Sequence, residues 1–99
     1  EREADRIKEV QFMQDKLGRE FPGIVSGLMN RGAFIEIQPF GLEGFIPLER
    51  FHGDRYAYDE TSRILKGQHR RVRLGDPLKV RVDGVDPVAQ RITLRSLDA

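Results

Sequence analysis

Cysteine is absent from all 99 residues, so neither a disulfide framework nor a thiolate metal site can form. No apolar run approaches the roughly 18 residues of a membrane span, and the opening Glu1-Arg2-Glu3-Ala4-Asp5 is too charged for a secretory signal. A phosphate-binding glycine loop, a nucleophile elbow and carboxylates at metal-ligand spacing are also missing. His52 and His69 stand seventeen positions apart with no thiol or grouped carboxylate beside them, which argues against a metal centre. No catalytic residue is therefore expected in this chain by itself. The lack of cysteine suits a reducing cytoplasm.

What is present describes one globular domain. The chain is 38% hydrophobic and 33% charged, long enough for a single core with little to spare. Its net charge of +1 hides an uneven distribution. Residues 1–20 carry five basic and six acidic groups, residues 21–60 three and six, and residues 61–99 nine and four, so the net charge runs from −1 through −3 to +5. A basic last third on a nearly neutral chain is the asymmetry that a phosphate-binding flank produces.

Periodicity divides the chain at Gly18. Before it, Ala4, Ile7, Val10, Met13 and Leu17 recur at three- and four-residue steps, predicting a helix over residues 1–17 with Gly18 as its left-handed cap. So short a helix is marginal alone, and its apolar stripe must rest on this domain or on a neighbour. The neighbour is favoured, with residues 1–18 as the linker from a preceding domain and 19–99 as the domain proper. After Gly18 the period is two. Strands are expected at 20–28, 33–37, 44–48, 78–85 and 91–97. The segment 49–75 is a long connection in which residues 56–58 and 64–65 pair as a hairpin.

Alternation sorts the side chains. Phe21, Val25, Ala33, Ile35, Ile37, Ile46, Leu78, Val80, Val82, Ile92 and Leu94 face inward; Phe34, Phe45, Lys79, Arg81, Asp83, Arg91 and Arg95 face outward. The fold class expected is all-β: a five-stranded antiparallel OB-type barrel preceded by one α-helix. That architecture presents its second and third strands to oligonucleotides. An aromatic aimed at water on such a sheet is a platform for unpaired bases, which makes single-stranded RNA the expected partner.

Gly23-Ile24-Val25, Gly32-Ala33-Phe34-Ile35, Glu43-Gly44-Phe45-Ile46 and Val85-Asp86 with Arg91-Ile92-Thr93-Leu94 together resemble the S1 RNA-binding domain over residues 20–97. Phe12-Met13-Gln14-Asp15-Lys16-Leu17-Gly18, Tyr58-Asp59, Arg63-Ile64-Leu65 and Arg73-Leu74-Gly75-Asp76 further resemble the C-terminal part of the RNase II/R family of 3′-to-5′ exoribonucleases. The resemblance implies a module that clamps single-stranded RNA for a catalytic domain lying upstream, whose magnesium-dependent acidic site is not in this chain. Arg31-Gly32 stands where the family has Phe-Gly, so a guanidinium replaces one ring. Pro47 stands where histidine is usual, and Phe45 replaces a common leucine.

The RNA-binding residues expected are Phe34 and Phe45 for stacking, Arg31 for a base or a phosphate, Asp86 orienting Arg91 toward a phosphate, and Arg95 and Lys79 for general attraction. Phe40 is expected to buttress the loop between the second and third strands, and Tyr56 and Tyr58 to line the hairpin, one of them open to a base. Two rival readings remain: an S1-type domain of a translation or transcription factor, and a protein-docking barrel anchored by Phe34 and Phe45.

Overall fold

The computed structural model describes residues 2–53 and 55–97, with side chains from Lys8 onward. Helix α1 (Arg2–Met13) passes through a 3-10 turn, Gln14–Lys16, into β1 (Glu20–Met29), β2 (Gly32–Ile37) and β3 (Leu42–Pro47). A second 3-10 turn, Leu48–Arg50, opens the long connection, which carries β4 (Ala57–Asp59), β5 (Ile64–Lys66) and β6 (Arg71–Val72). The chain finishes with β7 (Pro77–Asp86) and β8 (Arg91–Ser96).

Five strands close into a barrel in the order β1-β2-β3-β8-β7. All neighbouring pairs are antiparallel except β3 and β8, which meet in parallel through Phe45 and Thr93. The expected inward set is buried, with Ala33, Ile35, Ile37, Ile46, Val80, Ile92 and Leu94 sealed from solvent, and the core extends beyond it to residues of the helix and the long connection. The expected hairpin in the long connection forms as β4 and β5, and β6 adds a third strand beyond the expected pair.

Both ten-residue strands break register once. In β1 the pairing steps from Val25 with Ile35 to Gly27 with Phe34, leaving Ser26 as the extra residue. In β7 it steps from Val82 with Leu94 to Gly84 with Thr93, leaving Asp83. Such bulges bend a strand and change which residues face the core. They let Leu28 and Val85 turn inward after Val25 and Val82, and both pack on the core cluster.

The helix corrects one expectation. Val10 and Met13 are buried in the barrel's own cluster, so this part of the stripe rests on the barrel and not on a neighbouring domain. Ala4 and Ile7 lie outside the described side chains. Phe40, from the turn between β2 and β3, joins helix to barrel: its ring centroid lies 5.0 Å from Phe12 and 5.5 Å from Phe21, both edge-on. The α-helix also ends earlier than expected, at Met13, with the 3-10 turn carrying the chain to Lys16.

In the long connection the rings of Phe51 and Tyr56 stand 5.2 Å apart and both are buried, which removes Tyr56 from reach of a base. Tyr58 is half-buried against the core. Asp59 organises the β4–β5 turn. Hydrogen bonds from Lys66 (2.8 Å), Ser62 (2.7 Å) and the Thr61 N–H (3.1 Å) hold its carboxyl at a pKa of about 2. An unfolded aspartate titrates near ~3.9. The contribution of these bonds is therefore complete above about pH 4 and lost as pH falls through about 2. A carbon-detected NMR titration should place the Asp59 midpoint near 2; a midpoint close to 4 would show the turn bonds are not made in solution.

Candidate nucleic-acid interface

Phe34 and Phe45 are direct register partners on β2 and β3, and their ring centroids lie 5.1 Å apart at 57°. Neither ring is sealed in the core; both are half-buried. Two features leave them in that state. Alternation aims them outward while Ile35 and Ile46 take the core side. The bulge in β1 then places Gly27 opposite Phe34, where a Cβ would come within 3.2 Å of the Phe34 ring. Lacking one, Gly27 leaves room for the ring to lie across the sheet.

These rings form the floor of an open groove of about 360 Å³. Arg31, from the turn between β1 and β2, and Arg91, at the start of β8, line the same groove, as do Met29, Glu43 and Gln90. Four of the seven expected binding residues thus converge: Phe34, Phe45, Arg31 and Arg91. The arrangement offers two π faces with cations at the rim, which suits a flat base carried on an anionic backbone. Gln90 precedes Arg91 at φ +54, so the last residue of the turn adopts the left-handed conformation as β8 begins.

The other three expected residues lie elsewhere. Asp86 is the register partner of Arg91, but its Oδ1 accepts the backbone N–H groups of Val88 (3.0 Å) and Ala89 (3.1 Å). It caps its own turn, and among the described residues no ion pair joins it to Arg91. Lys79 sits on the β1–β7 seam beside Glu20, Phe21 and Pro22, 3.7 Å from the Glu20 carboxylate. An ion pair so exposed contributes about 0–1 kcal/mol.

Arg95 joins a cluster that sequence reasoning did not assemble. Asp83, the bulge residue of β7, accepts from Arg50 Nη1 at 2.6 Å, Arg95 Nε at 2.8 Å and Arg81 Nε at 3.3 Å. The Asp83 side chain is only 8% exposed, whereas the three arginines are 38–45% exposed. Burial by itself would raise the Asp83 carboxyl. The bonds from Arg95, Arg50 and Arg81 outweigh burial and hold it below the usual carboxylate range. Arg81 and Arg95 were visible in the sequence as outward strand positions; nothing pointed to Arg50, 33 residues from Asp83 in sequence.

Among the described residues no three His, Asp or Glu side chains gather as a metal cage, and no helix is long and apolar enough to cross a membrane. Among the described residues the acidic groups do not fit a magnesium centre: Asp83 and Asp59 are already committed to cations.

A closed five-stranded barrel with an aromatic pair on its second and third strands defines a class. The chain belongs to the S1 RNA binding domain family, whose pattern matches residues 14–95. Among curated proteins it is similar to ribonuclease R of Aquifex aeolicus (strain VF5), 31% identical over 100 residues that cover 99% of this chain and 14% of that protein. Among solved structures it resembles the apo form of Mycoplasma genitalium RNase R, with a TM-score of 0.90 and 20% identity over 97% of this chain and 15% of the other. The same RNase R in complex with ribose methylated single-stranded RNA matches with the same score, identity and coverage. The chain therefore spans about a seventh of the length of these relatives.

Proposed function

We propose that this chain is the single-stranded RNA-binding module of an RNase R-type 3′-to-5′ exoribonuclease, holding the strand for a catalytic domain elsewhere in the parent protein. The observation that carries the reading is the convergence of Phe34, Phe45, Arg31 and Arg91 on one open groove. A base stacks on the rings, and the two guanidiniums neutralise phosphates or stack in turn. Arg31 takes the place of the ring usual in the family at that position, and Phe45 restores an aromatic on the neighbouring strand. The occurrence of single-stranded RNA in a complex of a relative with this fold supports the same reading.

Residues 1–18 are the connection to the preceding domain, docked at their C-terminal end on the barrel through Val10 and Met13. The upstream domain is proposed to hold the magnesium ions, and the compartment to be the cytoplasm. Within this chain the chemistry is binding alone. Recognition through stacking and phosphates predicts weak base preference and modest affinity, falling as salt rises. Titrating a labelled oligoribonucleotide at low and at moderate salt measures this. Each phosphate contact contributes about 0.7 to the slope of log affinity against log salt, and a flat response would sink the electrostatic part of the reading.

A further inference from the structure

The cluster of Arg50, Arg81, Arg95 and Asp83 lies outside the aromatic groove, yet the sheet connects the two. Thr93 on β8 is the register partner of Phe45. Arg95 lies two residues further along β8 on the same outer face, about 7 Å on. Arg81 stands opposite Arg95 on β7, and Arg50 enters from the 3-10 turn that follows β3. Phe45, Thr93, Arg95 and Arg81 thus form a continuous line across three strands, while Arg91 lies toward the other end of β8.

We infer that the three arginines held by Asp83 form a second, phosphate-binding subsite, which takes the backbone of a single strand one step beyond the bases stacked on Phe34 and Phe45. This inference rests on the reading of that groove as the RNA site. Three arguments carry it. One carboxylate against three guanidiniums leaves an excess of two positive charges, and the mutual repulsion of those cations is relieved by a second anion. Arg81 and Arg95 reach Asp83 through Nε, so their terminal Nη groups take no part in those bonds. Nη pairs on a planar fork are the donors that match phosphate oxygens. Finally, Asp83 is nearly covered while the guanidiniums around it remain 38–45% exposed. A buried anchor fixes the long side chains before the ligand arrives, which reduces the ordering cost of binding. The β7 bulge supplies that anchor by placing Asp83 where the ladder has no partner for it.

The test compares Arg81→Gln, Arg95→Gln and the double variant with the parent chain, using a fluorescent oligouridylate titrated at several salt concentrations. Each glutamine variant should bind several-fold more weakly at low salt. Each should also lower the slope of log affinity against log salt by about 0.7, the share of one phosphate on a single strand. Phe34→Ala serves as the contrast: it should weaken binding and leave the slope unchanged. Parental slope and affinity in both arginine variants, with Phe34→Ala still weakened, would overturn the subsite and leave the RNA reading standing. No binding of the oligouridylate by the parent chain would overturn both. If a glutamine variant fails to fold by circular dichroism, Arg81→Lys and Arg95→Lys decide the matter. They keep the charge but lose the fork, so the slope should hold while affinity drops, and parental affinity in both would overturn the subsite.

Discussion

Replacing Phe34 with alanine should weaken binding of a single-stranded oligoribonucleotide roughly 5- to 150-fold, the equivalent of the about 1–3 kcal/mol that one base–aromatic stack supplies. The ring contributes to the fold as well, since it lies against Phe45 and over Gly27. Loss of affinity alone would therefore not separate stacking from apolar packing. Phe34→Leu makes the distinction. Leucine retains most of the apolar volume but has no π face, so a stacking site loses affinity with leucine nearly as much as with alanine. A barrel that uses this face to dock a protein tolerates leucine, because an interface anchor needs volume and apolar surface. Phe34→Trp should bind at least as tightly as the parent chain. Because the two rings touch, Phe34→Ala and Phe45→Ala should be non-additive in a double-mutant cycle. Undiminished binding by Phe34→Leu would remove stacking from the account and favour the docking reading.

The sequence carried the core well because the rule that sets it is local. Val80 and Val82, or Ile92 and Leu94, face inward because a pleated strand alternates and one of its faces is dry. The same rule put Phe34 and Phe45 on the outer face, and the motifs around them placed both on adjacent strands. Arg31 reaches the groove from the turn just before β2 and Arg91 from the first position of β8, both beside or within those motifs, so they too could be read. What escaped depends on contacts distant in sequence or on a single dropped hydrogen bond. Neither bulge leaves a composition signature: Ser26 and Asp83 look like ordinary outward residues in an alternating run. Yet the bulge at Asp83 creates the anchor for three arginines, and the bulge at Ser26 brings Gly27 under the Phe34 ring. Arg50 joins the cluster only because β3 and β8 pair in parallel and bring the turn after β3 near the end of β8. The strand β6 is two residues long, too short for alternation to show, and sits in a run that reads as a basic loop. For Asp86 and Arg91, adjacency was read correctly and chemistry was not: the carboxylate serves the N–H groups of its own turn, a use that short-range geometry favours over reaching a side chain across the ladder.

Gly32 is the position where one added methyl group should do the most damage to the fold. It opens β2, stands in register with Met29 on β1 and Pro47 on β3, and has φ +154, a region that L side chains rarely adopt. A Cβ there would collide with the backbone carbonyl oxygen of Ile46 and come 3.0 Å from Cζ of Phe45. A flexible side-chain tip can swing away from such a contact; a carbonyl held in the β2–β3 ladder cannot. Gly32→Ala therefore combines backbone strain of about 1–3 kcal/mol with overpacking of a further 1–3 kcal/mol. Set against the roughly 5–15 kcal/mol that holds a typical domain together, the combined loss should lower the melting temperature by at least about 10 °C. Gly18→Ala separates the two contributions, because Gly18 also has positive φ, +80, but nothing lies within 4 Å of its added Cβ. That variant should lose only the conformational part, about 1 kcal/mol. The collision at Gly32 also bears on function, since the displaced groups are the Ile46 backbone and the Phe45 ring, and any Gly32→Ala protein that still folds should bind RNA more weakly. Equal melting temperatures for Gly32→Ala and Gly18→Ala would show that β2 and β3 do not approach so closely at this end, and that the floor of the groove is looser than the ladder requires.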